Sequence, residues 1–298
     1  MRAGITPTII GAPTALITGS GAGIGKELAL ELAGMGYTVY ASVRDVKKAQ
    51  ASFGKAAQTP GLRIVQLDVR KPEQAVKTVR SIMKESGRLD VLVNNAGFGL
   101  YGVFEELTDE QYRDQFETNF FGSMNLVRAA LPFMREKGRG KIVNITSILG
   151  RMVLPTGSAY CSSKWALEAF SEALRYEVAP FGIRVVAIEP GLIRTNFKKN
   201  MVYSRSKTDA SSPYRPLNAM MESQGEYRGF STSAQDAARK IARIIEKKNP
   251  GPRYRVGMDA HGANMLTHLL GSRIIDFIFR SVVLRQFRKF ARSNDSRN

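Results

Sequence analysis

The sequence has little of what extracellular, metal-binding or membrane-spanning proteins need. Cys161 is the one cysteine among 298 residues, so no intramolecular disulfide can form. The two histidines lack the company of further metal ligands, and we expect no metal site. No run of about 18 uncharged apolar residues could span a bilayer, and residues 1–13 lack the apolar core of a secretion signal. These absences predict a cytoplasmic protein.

Acidic residues are also scarce, with 26 Asp and Glu against 44 Lys and Arg and a formal net charge of +18. The imbalance is greatest in residues 196–298, which hold 20 basic and 8 acidic side chains. Such a surface suits nucleic acid, an anionic membrane or a phosphorylated ligand, or it serves solubility alone. The interleaved aromatic and basic residues that stack on bases are missing, so we expect no nucleic-acid partner.

Short apolar runs typical of β-strands alternate with longer segments of helical spacing. The strand-like runs are 14–18, 37–42, 63–67, 90–94, 141–146 and 184–189. The helical segments are 26–35, 72–85, 109–136 and 158–179. This alternation predicts an α/β fold in one domain, with a doubly wound parallel sheet of about seven strands and helices on both faces.

The regular pattern stops near Thr195. Residues 196–231 have weak periodicity, and a segment of that length is typical of a lid or of disorder. A helix is predicted at 234–248 and an extended piece at 253–256, followed by a basic and apolar tail.

The stretch TGSGAGIG, Thr18–Gly25, puts four glycines between the first strand and the first helix. In a doubly wound sheet this turn faces the ligand crevice at the carboxyl ends of the strands. Bare backbone N–H groups and the helix dipole together favour a phosphate there. We therefore expect a pyrophosphate at this turn, the alternative being a glycine-rich turn without a ligand.

Further motifs follow the glycine turn in order. They are Asn94-Asn95-Ala96-Gly97, then Asn119, Ser147, Tyr160 with Lys164 in YCSSK, and Pro190-Gly191 followed by Thr195. With T-G-x-x-x-G-x-G at 18–25, this ordered set resembles the short-chain dehydrogenase/reductase family, in its compact single-domain subfamily. The resemblance covers about residues 12–195 and extends loosely to 257.

The resemblance implies a Rossmann-like catalytic domain over 12–257, with a substrate lid at about 196–231 and a C-terminal extension at 258–298. It implies a carbonyl or alcohol as the small-molecule substrate and a homodimer or homotetramer. The implied catalytic residues are Asn119, Ser147, Tyr160 and Lys164. The implied cofactor-binding residues are Gly19, Ser20, Gly23, Ile24, Gly25, Arg44, Asp68, Val69, Asn95, Ala96, Gly97, Tyr160, Lys164, Pro190, Gly191, Ile193 and Thr195.

The positions of Tyr160, Lys164 and Ser147 indicate the chemistry that these residues can perform. Tyr160 and Lys164 are four residues apart and share one helix face. A nearby ammonium favours the phenolate, so we expect Lys164 to lower the pKa of Tyr160, with a second positive charge from an oxidised nicotinamide. A drop of about 3 units would correspond to about 4 kcal/mol. Ser147 ends a strand, where its hydroxyl can polarise a carbonyl. By the resemblance, Asn119 holds a water that links Lys164 to solvent.

The cofactor is predicted from the end of the second strand. Val43 stands where NAD-preferring relatives carry an acid, and Arg44 can clamp a 2′-phosphate. Asp45 is interpreted as the N-cap of the next helix instead. NADP is therefore expected, with NAD as the less favoured choice.

The predicted function is an NADP-dependent oxidoreductase that interconverts a carbonyl and an alcohol. Aromatic and methionine residues in the lid favour a lipophilic substrate of steroid, retinoid or acyl-chain type. These lid residues are Met201, Tyr203, Tyr214, Leu217, Met220, Met221, Tyr227 and Phe230. Two alternatives stay open, an NAD-dependent alcohol dehydrogenase of the same family and a non-catalytic NADP-binding sensor or scaffold.

The tail at 272–292 has the pattern of a basic amphipathic helix. The predicted apolar side carries Ile274, Ile275, Ile278, Phe279, Val282, Phe287 and Phe290. The predicted polar side carries Arg273, Asp276, Arg280, Ser281, Arg285, Arg288 and Arg292. Either the apolar side packs on the enzyme, or the helix makes a peripheral contact with an anionic membrane.

Overall fold

The computed structural model describes residues 11–195, 197, 200–204, 209, 211–223 and 231–295. A seven-stranded parallel sheet forms its centre, as the alternating pattern predicts. Its strands are β1 Thr14–Ile17, β2 Thr38–Val43, β3 Leu62–Gln66, β4 Val91–Asn94, β6 Gly140–Ile145, β7 Ile183–Pro190 and β11 Arg253–Val256.

The strand order is β11–β7–β6–β4–β1–β2–β3, so the chain reverses its direction of winding between β1 and β4. Two-stranded parallel pairs lie outside the sheet: β5 Leu100–Tyr101 with β9 Val202–Tyr203, and β8 Ile193–Arg194 with β10 Thr232–Ser233. The switch between β1 and β4 creates the crevice in which doubly wound sheets bind their ligands.

Helices cover both faces of the sheet. They are α1 Gly23–Gly34, α2 Val46–Phe53, α3 Pro72–Ser86, α4 Asp109–Phe116, α5 Gly122–Glu136, α6 Ser158–Val178, α7 Arg215–Ser223, α8 Ala234–Glu246 and α9 Met258–Asp295. Side chains of successive strand residues point to opposite faces, so Ile17 packs with α1 and α8 while Leu16 packs with α3, α5 and α6. Each fully buried Leu or Ile contributes roughly 1.5–3 kcal/mol.

Two local features differ from or refine the predictions. The segment 109–136 is not one regular helix, because a π-helical turn at Glu117–Phe121 separates α4 from α5. The predicted N-cap is confirmed, since the Asp45 carboxylate accepts a hydrogen bond from the backbone N–H of Lys48 at 3.0 Å.

The predicted lid contains more regular structure than its sequence suggests. β9 pairs with β5, and α7 packs against α9. Tyr227 and Phe230 lie outside the described residues, as do the side chains of Met220 and Met221.

The C-terminal extension is helical from Met258 onward. Gly271, at φ 66° and ψ 163°, interrupts it and makes a kink between two helical halves. Within the described part of the chain, no helix is both long and apolar enough to cross a bilayer.

Candidate active site

The glycine-rich turn is packed tightly against the segment that follows β4. Gly19 has a φ of 67°, and a Cβ atom there would lie 2.7 Å from the Cα of Ala96. A Cβ atom on Gly25 would collide with the side-chain amide of Asn95. Conformation and close packing therefore both require glycine in this turn.

Thr18 joins the two segments by hydrogen bonds. Its hydroxyl oxygen accepts from the backbone N–H of Asn95 at 2.9 Å and of Ala96 at 3.0 Å. The side-chain amide of Asn95 donates in return to the backbone carbonyl of Thr18 at 2.9 Å. The first two sequence motifs thus form one unit at the carboxyl edge of the sheet.

The N-terminus of α1 is open to an anion. The helix begins at Gly23, and its N-cap residue Ala22 makes no side-chain hydrogen bond to the first turn. The Lys26 ammonium is occupied elsewhere, since it donates to the backbone carbonyl of Ser52 at 2.6 Å. Free N–H groups at the positive end of a helix dipole fit the pyrophosphate of a dinucleotide.

Two predicted cofactor residues of the turn face the protein instead. Ser20 is fully buried; its hydroxyl donates to the carbonyl of Ile17 at 2.9 Å and its N–H to the carbonyl of Ser42 at 3.0 Å. The Ile24 side chain packs against the core beneath α1. Both side chains therefore shape the turn and do not face the crevice.

Arg44, Asp68 and Val69 lie at the carboxyl ends of β2 and β3. Arg44 is exposed, and its guanidinium forms no ion pair with the described residues. The Asp68 carboxylate accepts from Arg70 Nη2 at 2.7 Å, and this hydrogen bond lowers the pKa of Asp68. Val69 is buried, with its carbonyl accepting from the side chain of Asn125 at 3.0 Å.

The chain after β7 returns to the glycine turn. Pro190 ends β7, and the N–H of Gly191 donates to the carbonyl of Val256 at 2.9 Å. A Cβ atom on Gly23 would lie 3.2 Å from Thr195 Cγ2. Thr195, which follows Ile193 of β8 by two residues, therefore closes one side of the crevice above the turn.

Asp259 supports this return segment and was not predicted. Its carboxylate accepts from the backbone N–H of Leu192 and fills the space where a Cβ atom on Gly191 would lie. An acid in the first turn of a helix is common, so the sequence held no signal for this contact. The start of α9 is thereby attached to the edge of the site.

Tyr160, Lys164 and Ser147 meet at the carboxyl end of β6. Tyr160 and Ser147 interact through their side chains, and this interaction acts to lower the pKa of Tyr160. The Lys164 Nζ atom lies 5.8 Å from the centroid of the Tyr160 ring and donates to the carbonyl of Ile145 at 2.9 Å. Ser147 Oγ also accepts from the N–H of Leu149 at 3.1 Å.

Asn119 is fully buried in the π-helical turn, a feature frequent at functional sites. Its side chain accepts from the N–H of Phe98 at 3.0 Å and donates to the carbonyl of Phe98 at 3.0 Å and to Ser163 Oγ at 3.1 Å. A Cβ atom on Gly97 would lie 3.0 Å from Asn119 Oδ1 and 3.7 Å from Lys164 Nζ. The structure thus brings the four predicted catalytic residues and the glycine turn into one crevice.

The sequence profile of the family described as short chain dehydrogenase matches residues 13–205. The chain belongs to the short-chain dehydrogenase family. A 3-ketodihydrosphingosine reductase from Bacteroides thetaiotaomicron is 39% identical over 246 residues, covering 81% of this chain and 87% of that protein. Retinol dehydrogenase 8 from Bos taurus is 34% identical over 254 residues, covering 81% of this chain and 80% of that protein.

Solved structures agree with this assignment. A short-chain dehydrogenase from Streptomyces avermitilis superposes with a TM-score of 0.77 at 34% identity, covering 91% of this chain and 97% of that one. The closed form of a serine dehydrogenase complexed with NADP+ gives a TM-score of 0.70 at 27% identity, covering 82% and 94%. This short-chain dehydrogenase is therefore an NAD(P)-dependent oxidoreductase acting on CH–OH and C=O groups.

The expected lowering of the Tyr160 pKa is wrong for the protein alone. Burial raises the pKa of Tyr160 to about 12, and the interaction with Ser147 opposes this only in part. Burial also lowers the pKa of Lys164 to about 8, while the charge of Glu168 acts in the other direction. Burial is the largest cause for both groups, because both side chains are buried.

Aromatic rings surround the Tyr160 side chain, and spacing alone did not indicate them. The ring centroid of Tyr101 lies 5.7 Å from that of Tyr160, and the centroid of Phe197 lies 5.9 Å from it. Tyr203 extends this group, 6.5 Å from Tyr101. The pairing of β5 with β9 places Tyr203 of the lid beside Tyr101, so aromatic rings line the crevice of the short-chain dehydrogenase next to Tyr160.

A buried ion network of Arg151, Glu168, Glu189, Arg253 and Arg255 lies behind the catalytic residues. Arg253 Nε lies 3.0 Å from Glu168 Oε2 and 3.1 Å from Glu189 Oε1. Arg151 Nε lies 3.3 Å from Glu189 Oε1, and Arg255 Nε lies 3.3 Å from Glu189 Oε2. The network connects the loop after Ser147, α6, the end of β7 and β11. Nothing in the sequence pattern marked these acids as buried.

Proposed function

We propose that this short-chain dehydrogenase uses NADP(H) to interconvert a lipophilic carbonyl and its alcohol. The observation that carries the proposal is the position of Tyr160. Its side chain interacts with that of Ser147 and is flanked by the rings of Tyr101 and Phe197, in the crevice that also holds the uncapped start of α1.

Each residue has a distinct role in this proposal. When bound, the nicotinamide cofactor supplies the hydride in reduction and accepts it in oxidation. Ser147 donates a hydrogen bond to the substrate oxygen and positions it, and Tyr160 gives that oxygen its proton. Lys164 stabilises the phenolate that remains. Since the Asn119 side chain is used by Phe98 and Ser163, we assign the water relay to its main-chain carbonyl, which accepts a long hydrogen bond of 3.4 Å from Ser123 Oγ.

The charged side chains that follow β2 and β3 favour NADP over NAD as the cofactor. Arg44 is exposed, and its charge helps to lower the pKa of Asp68, whereas Asp45 is used as an N-cap and Asp68 is held by Arg70. The carboxylates of Asp45 and Asp68 thus both have partners within the protein, which disfavours them as ligands of ribose hydroxyls. The related serine dehydrogenase complexed with NADP+ supports the same choice. An NAD-dependent dehydrogenase remains the alternative, and a sensor or scaffold would show no turnover with any substrate.

The proposed domain assignment is 12–257 for the catalytic domain, with the lid at 196–231, and 258–298 for the extension. We place the enzyme in the cytoplasm, since its Cys161 is free and buried. The peripheral membrane contact expected from the tail concerns α9 and not the catalytic crevice.

A substrate panel tests the lipophilic preference. We expect kcat/KM to rise with chain length in a homologous series of ketones, because each buried methylene contributes about 0.8 kcal/mol. Tyr101→Ala should flatten this rise, whereas Phe277→Ala, which changes an exposed aromatic residue on α9, should leave it intact. The assay follows the absorbance of reduced nicotinamide. Equal kcat/KM across the series would reject an apolar pocket.

Assembly into at least a dimer is also expected. Trp165 and Tyr176 lie eleven residues apart on one face of α6 and are 45% and 64% exposed. Light scattering at micromolar concentration should give at least twice the monomer mass, and Trp165→Glu with Tyr176→Glu should reduce it. A wild-type mass equal to that of one chain would refute this prediction.

A further inference from the structure

The half of α9 beyond Gly271 exposes large apolar side chains. None of its described side chains between 273 and 290 is buried. Five apolar residues are at least 40% exposed: Ile274, Phe277, Ile278, Val282 and Leu284. Exposed apolar residues scattered singly are ordinary, but a group on one short helix marks an interaction surface.

These five residues lie on one side of the helix. At about 100° per residue they fall within half of its circumference. The opposite side carries the half-buried Ile275, Phe279, Val283, Phe287 and Phe290. The predicted apolar side is therefore corrected: the structure half-buries Ile275 and Phe279 and leaves Phe277 and Leu284 outward. We call the side defined by Ile274, Phe277, Ile278, Val282 and Leu284 the outer side.

Basic side chains share the outer side. Arg285, Arg288 and Lys289 continue it toward the C-terminus, and all three are exposed. Arg273 and Arg280 lie along one edge, whereas Asp276, the one acid between 272 and 292, falls on the opposite side. The outer side is thus apolar at first and basic afterwards, which is not the arrangement predicted from the sequence.

We propose that the outer side of α9 binds the surface of an anionic lipid bilayer, with its apolar residues inserted among the headgroups and acyl chains. Charge complementarity supports lipid as the occupant, because each Lys or Arg near an anionic surface contributes to binding. Asp276, the one acid between 272 and 292, falls on the opposite side, so no acidic residue of this stretch would repel an anionic headgroup from the outer side.

The helix that carries the outer side also contacts the lid and the edge of the catalytic crevice. α9 packs against α7 of the lid, and Asp259 in its first turn holds Leu192 at the edge of the crevice. Both contacts belong to the same helix as the outer side, which connects the proposed membrane surface to the lid and the crevice through one element. The binding itself does not depend on the proposed function, since it uses none of the catalytic residues.

Vesicle co-sedimentation of the full chain tests the proposal. We expect the protein to pellet with vesicles of phosphatidylcholine and phosphatidylserine at low salt, and at least about tenfold less with phosphatidylcholine alone. High salt should weaken the binding. Phe277→Asp with Leu284→Asp, and separately Arg285→Glu with Arg288→Glu, should each reduce it about tenfold or more.

Two matched variants serve as controls. Phe104→Asp changes an apolar residue that is 71% exposed before α4, and Lys84→Glu reverses an exposed charge on α3; both should pellet like the wild type. Unchanged thermal midpoints of all variants show that folding is intact. The proposal is overturned if wild-type protein stays in the supernatant with anionic vesicles at low salt. It is equally overturned if the α9 variants pellet normally but lose mass in light scattering, since a second copy would then cover the outer side.

Discussion

Tyr160→Phe should lower kcat by about 100-fold or more, while the thermal midpoint and the affinity for NADPH stay near wild-type values. The change removes one hydroxyl, which in our proposal is the general acid for reduction. Its aromatic neighbours Tyr101 and Phe197 still contact the ring, so the packing around position 160 is kept. Single-turnover and steady-state assays of reduced nicotinamide would measure the loss.

Tyr101→Phe is the matched control, since it removes a hydroxyl from a ring 5.7 Å away. We expect it to retain most of the wild-type kcat. The pH profile adds a second readout. Tyr160 keeps its proton far above neutral pH, but Lys164 loses its charge near its lowered pKa of about 8. Reduction should therefore slow as the pH rises above about 8. Near-native kcat in Tyr160→Phe would refute the assigned proton donor.

The sheet could be predicted because its signal is local. Fully buried parallel strands need continuous apolar runs, and β2 and β7 begin and end within about one residue of theirs. The position of the glycine turn could also be predicted from the sequence. Gly19 and Gly25 make close contacts that only residues without a side chain allow. In the buried strands and in the glycine turn alike, a few consecutive residues determine the local structure.

The sequence predicted those site residues that belong to short motifs, but not the contacts between residues distant in sequence. The π-helical turn at Asn119 depends on its contacts with Phe98 and Ser163, which are distant in sequence. The pKa of Tyr160 was predicted in the wrong direction, because the degree of burial is a property of the packed structure and not of a four-residue spacing.

The outer side of α9 likewise could not be predicted, because its exposure depends on the packed structure. A helical wheel separates apolar from charged residues, but it cannot tell which side faces the protein. In the structure Phe279 is half-buried while Phe277 is 70% exposed, although both are phenylalanines two residues apart. The kink at Gly271 changes the direction of the helix before this segment, and a periodic pattern does not reveal it.

Arg44→Ala should weaken NADPH binding by about 10- to 150-fold and leave NADH binding nearly unchanged. A hydrogen bond to a charged group contributes about 1.5–3 kcal/mol, and only the 2′-phosphate of NADPH offers that charge. Arg44 suits this role because it is exposed directly after β2. Calorimetry, or fluorescence of the single tryptophan Trp165, would measure both dissociation constants.

Lys48→Ala is the matched control, because Lys48 is an exposed cation on α2, four residues along the chain from Arg44. If general positive charge at this edge attracted NADPH, Lys48→Ala and Arg44→Ala would weaken binding alike, and salt would abolish the difference between NADPH and NADH. If Arg44 makes paired hydrogen bonds, Arg44→Lys should recover only part of the affinity, since an ammonium lacks the planar fork of the guanidinium. Equal losses for NADPH and NADH in Arg44→Ala would remove Arg44 as the discriminating residue and return NAD to the choice of cofactors.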